Sequence, residues 1–123
     1  MPVAGLERKT NPVLVDLIVE LRKASQQGGA PIWEDVAERL ERPARLWPQV
    51  NVEKVGAVSE GASVVLVPGK VLSTGDPIKG LKVAAFSFSE NAREKIEKSG
   101  GKCLSISDAV RLVPSGKGVR IIQ

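Results

Sequence analysis

Residues 81–88 have the sequence LKVAAFSF, and no other segment of the chain restricts the fold as strongly. Its apolar side chains occur at both odd and even positions, so they would lie on both faces of a β-strand. A strand that is apolar on both faces is typical of a central strand in a sheet that is covered on both sides. The segment therefore predicts a central, doubly covered strand in a domain that mixes helices with strands.

The segments after residue 88 predict further alternation of helix and strand. Ser89 can accept a backbone hydrogen bond as the N-cap of a helix over residues 90–99, and Gly100-Gly101 would end that helix. The remaining predicted elements are a strand over residues 102–106, a short helix capped by Ser107 and ending before Pro114, and a strand over residues 119–122.

Two helices are predicted in the first third of the chain. Asn11 can cap the first, with Pro12 in its first turn, where the missing N–H would have had no helical partner. Apolar residues then recur at helical spacing. A second amphipathic helix is predicted over residues 32–40, Pro43 stops it, and residues 42–48 are predicted to be irregular.

The segment between the helices and residue 81 changes to a strand-like pattern after residue 50. A β-branched strand is predicted over residues 62–67; Pro68-Gly69 is expected to break it before it resumes over residues 70–72. Residues 73–80 are predicted to form a loop. We therefore expect a single mixed α/β (α+β) domain over residues 1–123, with a flexible N-terminus (1–10), a helical part (11–48) and an α/β core (49–123).

The composition excludes several kinds of active site. The chain has no His and one Cys among its 123 residues, so it cannot form a Ser/His/Asp triad, an internal disulfide or a zinc site of Cys₄ or Cys₂His₂ type. Its 14 carboxylates leave an oxygen-ligand metal site or carboxylate catalysis open by counting alone. The spacing of Glu34, Asp35, Glu38 and Glu41 favours one solvated helix face instead. We expect no catalytic residues, metal, cofactor or small-molecule substrate.

The expected location follows from the hydrophobic patterning and the single cysteine. No apolar run approaches the roughly 18–20 residues needed to cross a bilayer, so no membrane association is predicted. Residues 1–10 lack the apolar segment of a signal peptide. We therefore expect a cytoplasmic protein in which Cys103 is a reduced, structural thiol.

The positive charge is concentrated in the second half of the chain. The net charge is +4, but residues 61–123 alone carry ten basic and five acidic side chains, a net +5. The excess lies mainly on predicted loops and strand ends. Lys70 follows Gly69 and Lys117 lies between Gly116 and Gly118, and these glycines would let a phosphate approach closely. This pattern favours nucleic-acid binding, with ordinary solubility as the alternative. Aromatic residues make up only 3%, which gives little support for stacking on bases.

Seven short segments together resemble one known family. They occur in family order from about residue 8 to the end of the chain. The chain resembles the archaeal form of large-subunit ribosomal protein eighteen of the archaeal and eukaryotic type, whose bacterial relative is large-subunit protein fifteen. The segments are Lys9-Thr10-Asn11-Pro12, Gly29-Ala30-Pro31-Ile32-Trp33, residues 67–72 (VPGKVL), residues 83–89 (VAAFSFS), residues 92–96 (AREKI), Gly100-Gly101 and Gly118-Val119-Arg120-Ile121.

The resemblance implies a structural constituent of the large ribosomal subunit, located in the cytoplasm on the ribosome, with an irregular layered ββα-type fold after about residue 50. Its implied partners are large-subunit ribosomal RNA and neighbouring large-subunit proteins, and it implies no catalytic role. A non-ribosomal RNA-binding or regulatory module is the alternative, and a small carboxylate enzyme is a third class. On the matching and nearby basic positions we expect RNA contacts at Arg8, Lys9, Arg42, Arg45, Lys70, Lys117 and Arg120.

Overall fold

The computed structural model of the chain describes residues 11–77 and 79–122. The segment 1–10, predicted to be flexible, lies outside these residues. The helices are α1 (Pro12–Gly28), α2 (Pro31–Glu41), α3 (Val52–Ala57), α4 (Glu90–Lys98) and α5 (Ile106–Leu112). The strands are β1 (Gln49–Asn51), β2 (Val64–Leu72), β3 (Lys82–Phe88), β4 (Lys102–Ser105) and β5 (Val119–Ile121), and a 3-10 turn over Ala44–Leu46 precedes β1. The predicted mixed α/β class is confirmed, and β2, β3 and α4 follow in the ββα order.

All pairings in the five-stranded sheet are parallel. β3 lies between β2 and β4, as predicted for a central strand. The other edge of β2 has two partners in succession: β5 pairs with residues 64–66 and β1 pairs with residues 70–72. The neighbour of β2 therefore changes at Pro68-Gly69.

The prediction that Pro68-Gly69 breaks the strand is wrong. β2 runs through both residues, with a register shift against β3 between Val67 and Lys70. Pro68 has no N–H to donate, and it lies between the residues that pair with β5 and those that pair with β1, where a missing donor disrupts the sheet least. Pairing resumes at Lys70, whose N–H donates to the Pro48 carbonyl at 3.1 Å.

Helices cover both faces of the sheet, which explains why residues 81–88 are apolar at both odd and even positions. Val64, Leu66 and Ala84 pack with α1, α2 and α5 in one buried cluster. Val65, Val67, Val83 and Ala85 pack with α3 and α4 in a second cluster. Trp33 of α2 is fully buried in the first cluster, and its Nε1–H donates to the Pro114 carbonyl at 2.9 Å.

Ion pairs join the two N-terminal helices. The Arg22 guanidinium of α1 pairs with Glu41 of α2, and its Nε lies 3.3 Å from Glu34 Oε1. Asp35 pairs with Arg39 within α2 at 2.9 Å. Three of the four carboxylates of α2 thus pair with arginines, and Glu41, which is only 12% exposed, faces α1 instead of the solvent predicted for this helix face.

Two local features differ from the prediction. β1 and α3 were not expected, because a three-residue strand and a six-residue helix are too short to show a hydrophobic period. The cap of α5 is Ser105, not Ser107: Ser105 Oγ accepts from the Asp108 N–H while the Asp108 carboxylate accepts from the Ser105 N–H. Ser107 instead donates to Glu20 of α1 at 2.7 Å.

Candidate nucleic-acid interface

The predicted RNA-binding residues that the structure describes are all exposed. Arg42, Arg45, Lys70, Lys117 and Arg120 reach the surface, whereas Arg8 and Lys9 lie outside the described residues. Arg42, Arg45 and Lys70 lie in one region of the surface, whereas Lys117 lies in a second region and Arg120 lies on β5.

The first region comprises Arg42, Arg45 and Lys70 and is called the β1-side group. Arg42 caps the C-terminus of α2, and Arg45 lies in the 3-10 turn that leads into β1. Lys70 of β2 is the register partner of Gln49, the first residue of β1. Parallel pairing of β1 with β2 therefore places Lys70 beside the segment that carries the two arginines.

The second region is the end of the sheet at which its parallel strands begin. Lys82 and Lys102, the first residues of β3 and β4, are register partners and are both exposed. Since neighbouring strands lie about 4.8 Å apart, these lysines start from adjacent backbone positions. Lys117 lies just before β5, and the Gly118 carbonyl accepts from the Ser63 N–H at 2.7 Å, which ties this turn to the start of β2.

We call Lys79, Lys82, Lys102 and Lys117 the strand-start edge. Within residues 11–77 and 79–122, none of these four lysines forms an ion pair with a carboxylate. Lys79 and Lys82 also line a groove of about 390 Å³ with Ser59 and Ser63. The edge therefore combines unneutralised positive charge with hydroxyl groups.

Three lysines of this edge, Lys79, Lys82 and Lys102, were not among the predicted site residues. Each lies at or just before the start of a strand, and that position is visible in the sequence. The pairing of Lys82 with Lys102 joins residues that are far apart along the chain, so it becomes visible only once the strand register is known.

The two regions lie near opposite ends of β2. Val64, beside β5, and Lys70, beside β1, are six residues apart, a rise of roughly 20 Å at about 3.3 Å per residue. A single phosphate cannot contact both regions, so a nucleic acid that uses both must extend along the sheet.

Gly69 and Gly118, next to Lys70 and Lys117, lie where a side chain would collide with a neighbouring segment. A Cβ at Gly69 would overlap the carbonyl oxygen of Pro48, so Gly69 permits β1 and β2 to approach. Gly118 has a φ of 81°, and a Cβ there would meet the Ser63 side chain. Both glycines therefore permit close packing within the protein, and Lys70 belongs to β2, as predicted for residues 70–72.

Several other basic side chains are already engaged within the protein. Lys95 donates to the carbonyls of Ser73 and Gly75 at 2.6 and 2.9 Å, and so fixes the segment that follows β2. Arg93 lies over the Phe88 ring at 5.1 Å from its centroid. Lys98 pairs with Glu94 at 2.7 Å, and this hydrogen bond raises the pKa of Lys98 and lowers the pKa of Glu94. These residues contribute to the fold of α4 and its surroundings.

Arg120 is exposed and is also engaged in a hydrogen bond within the protein. One of its guanidinium nitrogens donates to the Val58 carbonyl at the end of α3 at 2.8 Å. An arginine carries five N–H donors, so this bond leaves others for a phosphate.

The described residues contain no arrangement suited to metal binding. No group of three or more His, Cys, Asp or Glu side chains in residues 11–77 and 79–122 could hold a metal ion. Burial raises the pKa of the Cys103 thiol, an effect that the charge of Arg93 opposes and that of Glu97 reinforces. A raised pKa disfavours the reactive thiolate. No helix in this part of the chain has the length and apolar character that crossing a membrane requires.

Comparison with known proteins gives consistent matches over most of the chain. A family of ribosomal proteins that includes 50S-L15, 50S-L18e and their 60S counterpart matches residues 30–104. Large ribosomal subunit protein eL18 of Methanothermobacter thermautotrophicus is 50% identical over 115 residues, which cover 94% of this chain and 95% of the relative. The eL18 proteins of Archaeoglobus fulgidus and Methanosphaerula palustris are 47% and 40% identical, over 94% and 98% of this chain and 98% and 100% of their own lengths. With a family match over more than half of its residues and relatives that align along nearly their whole length, the chain belongs to the ribosomal protein family of 50S-L15 and 50S-L18e.

Proposed function

We propose that this chain is a structural protein of the large ribosomal subunit that binds large-subunit ribosomal RNA through exposed lysine and arginine side chains. Its family and the names of its relatives support the ribosomal role, and with it a cytoplasmic location on the ribosome. The observation that carries the RNA contact is the strand-start edge, where lysines without ion-pair partners in the described residues lie on adjacent strands.

The mechanism is neutralisation of backbone phosphates by side chains held on a rigid sheet. Each Lys or Arg that contacts a phosphate releases condensed counterions, which supplies most of the binding free energy. The parallel register fixes the spacing between the β1-side group and the strand-start edge, so the protein selects RNA by the positions of its phosphates. Contacts to 2′-hydroxyls and the shape of the A-form helix would set the register of the complex.

The face formed by α1 and α5 suits a protein partner better than RNA. A groove of about 570 Å³ on this face is lined by Asp16, Glu20 and Ser107 together with apolar residues that include Leu17 and Phe86. Carboxylates repel phosphates, so this groove would take a neighbouring large-subunit protein rather than an RNA backbone.

A salt titration of the complex with large-subunit ribosomal RNA tests the proposal. If about five phosphates are contacted, the logarithm of the association constant falls with the logarithm of the salt concentration with a slope of roughly −3.5 to −4.5. The variants Lys70→Ala and Lys117→Ala should each weaken binding and reduce the magnitude of the slope by about 0.7 to 0.9. Both side chains are exposed, so the unfolding transition should hardly change.

Lys98→Ala is the matched control, because Lys98 is an exposed lysine that pairs with Glu94 on α4. It should leave both the affinity and the slope close to those of the wild-type chain. A slope near zero for the wild-type chain, or an equal loss of affinity in all three variants, would contradict the proposal.

A further inference from the structure

We propose that Trp47 forms the floor of a pocket for one unpaired base of the bound RNA, an inference that rests on the proposed function and deepens it. Trp47 lies in the segment between α2 and β1 and is only half-buried. Phosphate neutralisation does not require an aromatic side chain, so the proposed phosphate contacts give no reason for a tryptophan at this position.

The orientation of the indole is fixed from two sides. Its Nε1–H donates to the Arg42 carbonyl at 3.0 Å. Its ring lies 5.0 Å from the Phe86 ring, centroid to centroid, at an angle of 55°. A base that stacks on this indole would therefore meet a surface already held in place, at little cost in side-chain entropy.

Trp47 lines a groove of about 310 Å³ together with Arg39, Arg42, Leu46, Pro48 and Pro68. Four of these residues are apolar or aromatic and the other two are arginines, of which Arg39 also pairs with Asp35 at 2.9 Å. No carboxylate of the described residues lines it. Its volume falls at the lower end of the range of roughly 300 to 1,000 Å³ found for small-ligand pockets, which suits one nucleobase better than a larger ligand.

The charge around the groove favours RNA over a protein segment. Arg42 and Arg45 are both exposed beside it, and both belong to the β1-side group. An unpaired base that enters the groove brings its own phosphates to the groove's rim, where these arginines can contact them. Aromatic and guanidinium surfaces are the ones on which proteins stack single-stranded bases.

The low aromatic content of the chain does not conflict with this pocket. A platform that binds a run of bases needs several aromatic side chains, whereas one flipped-out base needs only one. Leu46, which is 62% exposed at the groove, adds an apolar contact beside the indole.

The first test compares the affinities of Trp47→Leu and Trp47→Phe for large-subunit ribosomal RNA from Methanothermobacter thermautotrophicus, the source of one of the relatives. Trp47→Leu keeps an apolar side chain but removes the aromatic face, and it should weaken binding roughly 5- to 150-fold. Trp47→Phe should lose less. Because stacking releases no counterions, the salt slope of Trp47→Leu should equal that of the wild-type chain.

A second measurement uses the unmodified chain and does not depend on the stability of a variant. The chain has two tryptophans, and Trp33 is fully buried. Acrylamide should quench the fluorescence of Trp47 in the free protein but not in the RNA complex, while Trp33 stays protected in both.

Three results separate the two proposals. Wild-type affinity in Trp47→Leu, together with unchanged acrylamide quenching in the complex, would overturn the base pocket and leave the proposed function intact. Loss of a neighbouring ribosomal protein from particles that carry Trp47→Leu, without loss of affinity for RNA, would assign the groove to a protein and also overturn it. Absence of RNA binding by the wild-type chain would overturn the proposed function itself.

Discussion

Gly69 has the least space for a side chain among the residues that bring β1 and β2 together. A Cβ at this position would overlap the Pro48 carbonyl oxygen, and backbone atoms on two paired strands cannot move apart independently. Gly69→Ala should therefore lower the free energy of unfolding by about 1 to 3 kcal/mol, the usual cost of overpacking. Urea unfolding followed by circular dichroism measures this change.

Gly28→Ala is the control for that substitution. Gly28 is the last residue of α1, and a Cβ there would lie 3.5 Å from the Pro114 carbonyl oxygen, an ordinary contact distance. Alanine favours the helix by up to about 1 kcal/mol over glycine, so this variant should be as stable as the wild-type chain or more stable. Equal stability of the Gly69 and Gly28 variants would show that β1 and β2 do not approach as described.

At the scale of single elements, the start of α5 shows that tertiary contacts decide which of two nearby serines caps the helix and which bonds to another helix. Ser107 is the cap predicted from the sequence, but Ser105 forms the capping box and Ser107 bonds to Glu20. Ser105→Ala should lower the free energy of unfolding by about 1 kcal/mol, both in the wild-type background and in Glu20→Ala. Urea unfolding of the wild-type chain, the Ser105→Ala and Glu20→Ala variants and the double variant measures these differences.

Ser107→Ala is the companion variant. It should destabilise the protein in the wild-type background, where it removes the hydrogen bond to Glu20, and have little effect in the Glu20→Ala background. If Ser105→Ala were neutral and Ser107→Ala equally costly in both backgrounds, Ser107 would be the cap and the account of this helix would be wrong.

Elements with a local signal were predictable from the sequence, whereas β1 and the continuity of β2, which depend on pairing with distant residues, were not. α1 has its cap at Asn11, its proline in the first turn and a full apolar stripe, all within one continuous segment. β1 is a strand only because its three residues pair with residues 70–72 of β2, and this partner is distant in the sequence. β2 continues through Pro68 because its neighbour changes there, which no local pattern indicates.

The same distinction applies to the candidate interface. The exposure of Lys70 and Lys117 follows from local polarity and was predicted. The proximity of Lys82 to Lys102 depends on the parallel register of β3 and β4, and the placement of Trp47 depends on its contact with Phe86. A single sequence indicates which residues carry charge, but the sheet determines which charges lie together.

At the scale of the whole molecule, the exposed basic residues that we propose to bind phosphates are spread over the surface rather than gathered in one cleft. Helices cover both faces of the sheet. The lysines of the strand-start edge lie at the end of the sheet where its strands begin and are exposed there. Membership of a family of ribosomal proteins confirms the prediction that the chain is not an enzyme. We propose that the protein contributes fixed charge and shape to the large ribosomal subunit.

Sedimentation of native cell extract through a sucrose gradient, at low magnesium so that the subunits separate, tests the ribosomal role most directly. The account predicts that the chain travels with the large subunit in equimolar amount and dissociates only at high salt, since its RNA contacts are electrostatic. Recovery of the chain at the top of the gradient, as a free small protein at low salt, would contradict the account.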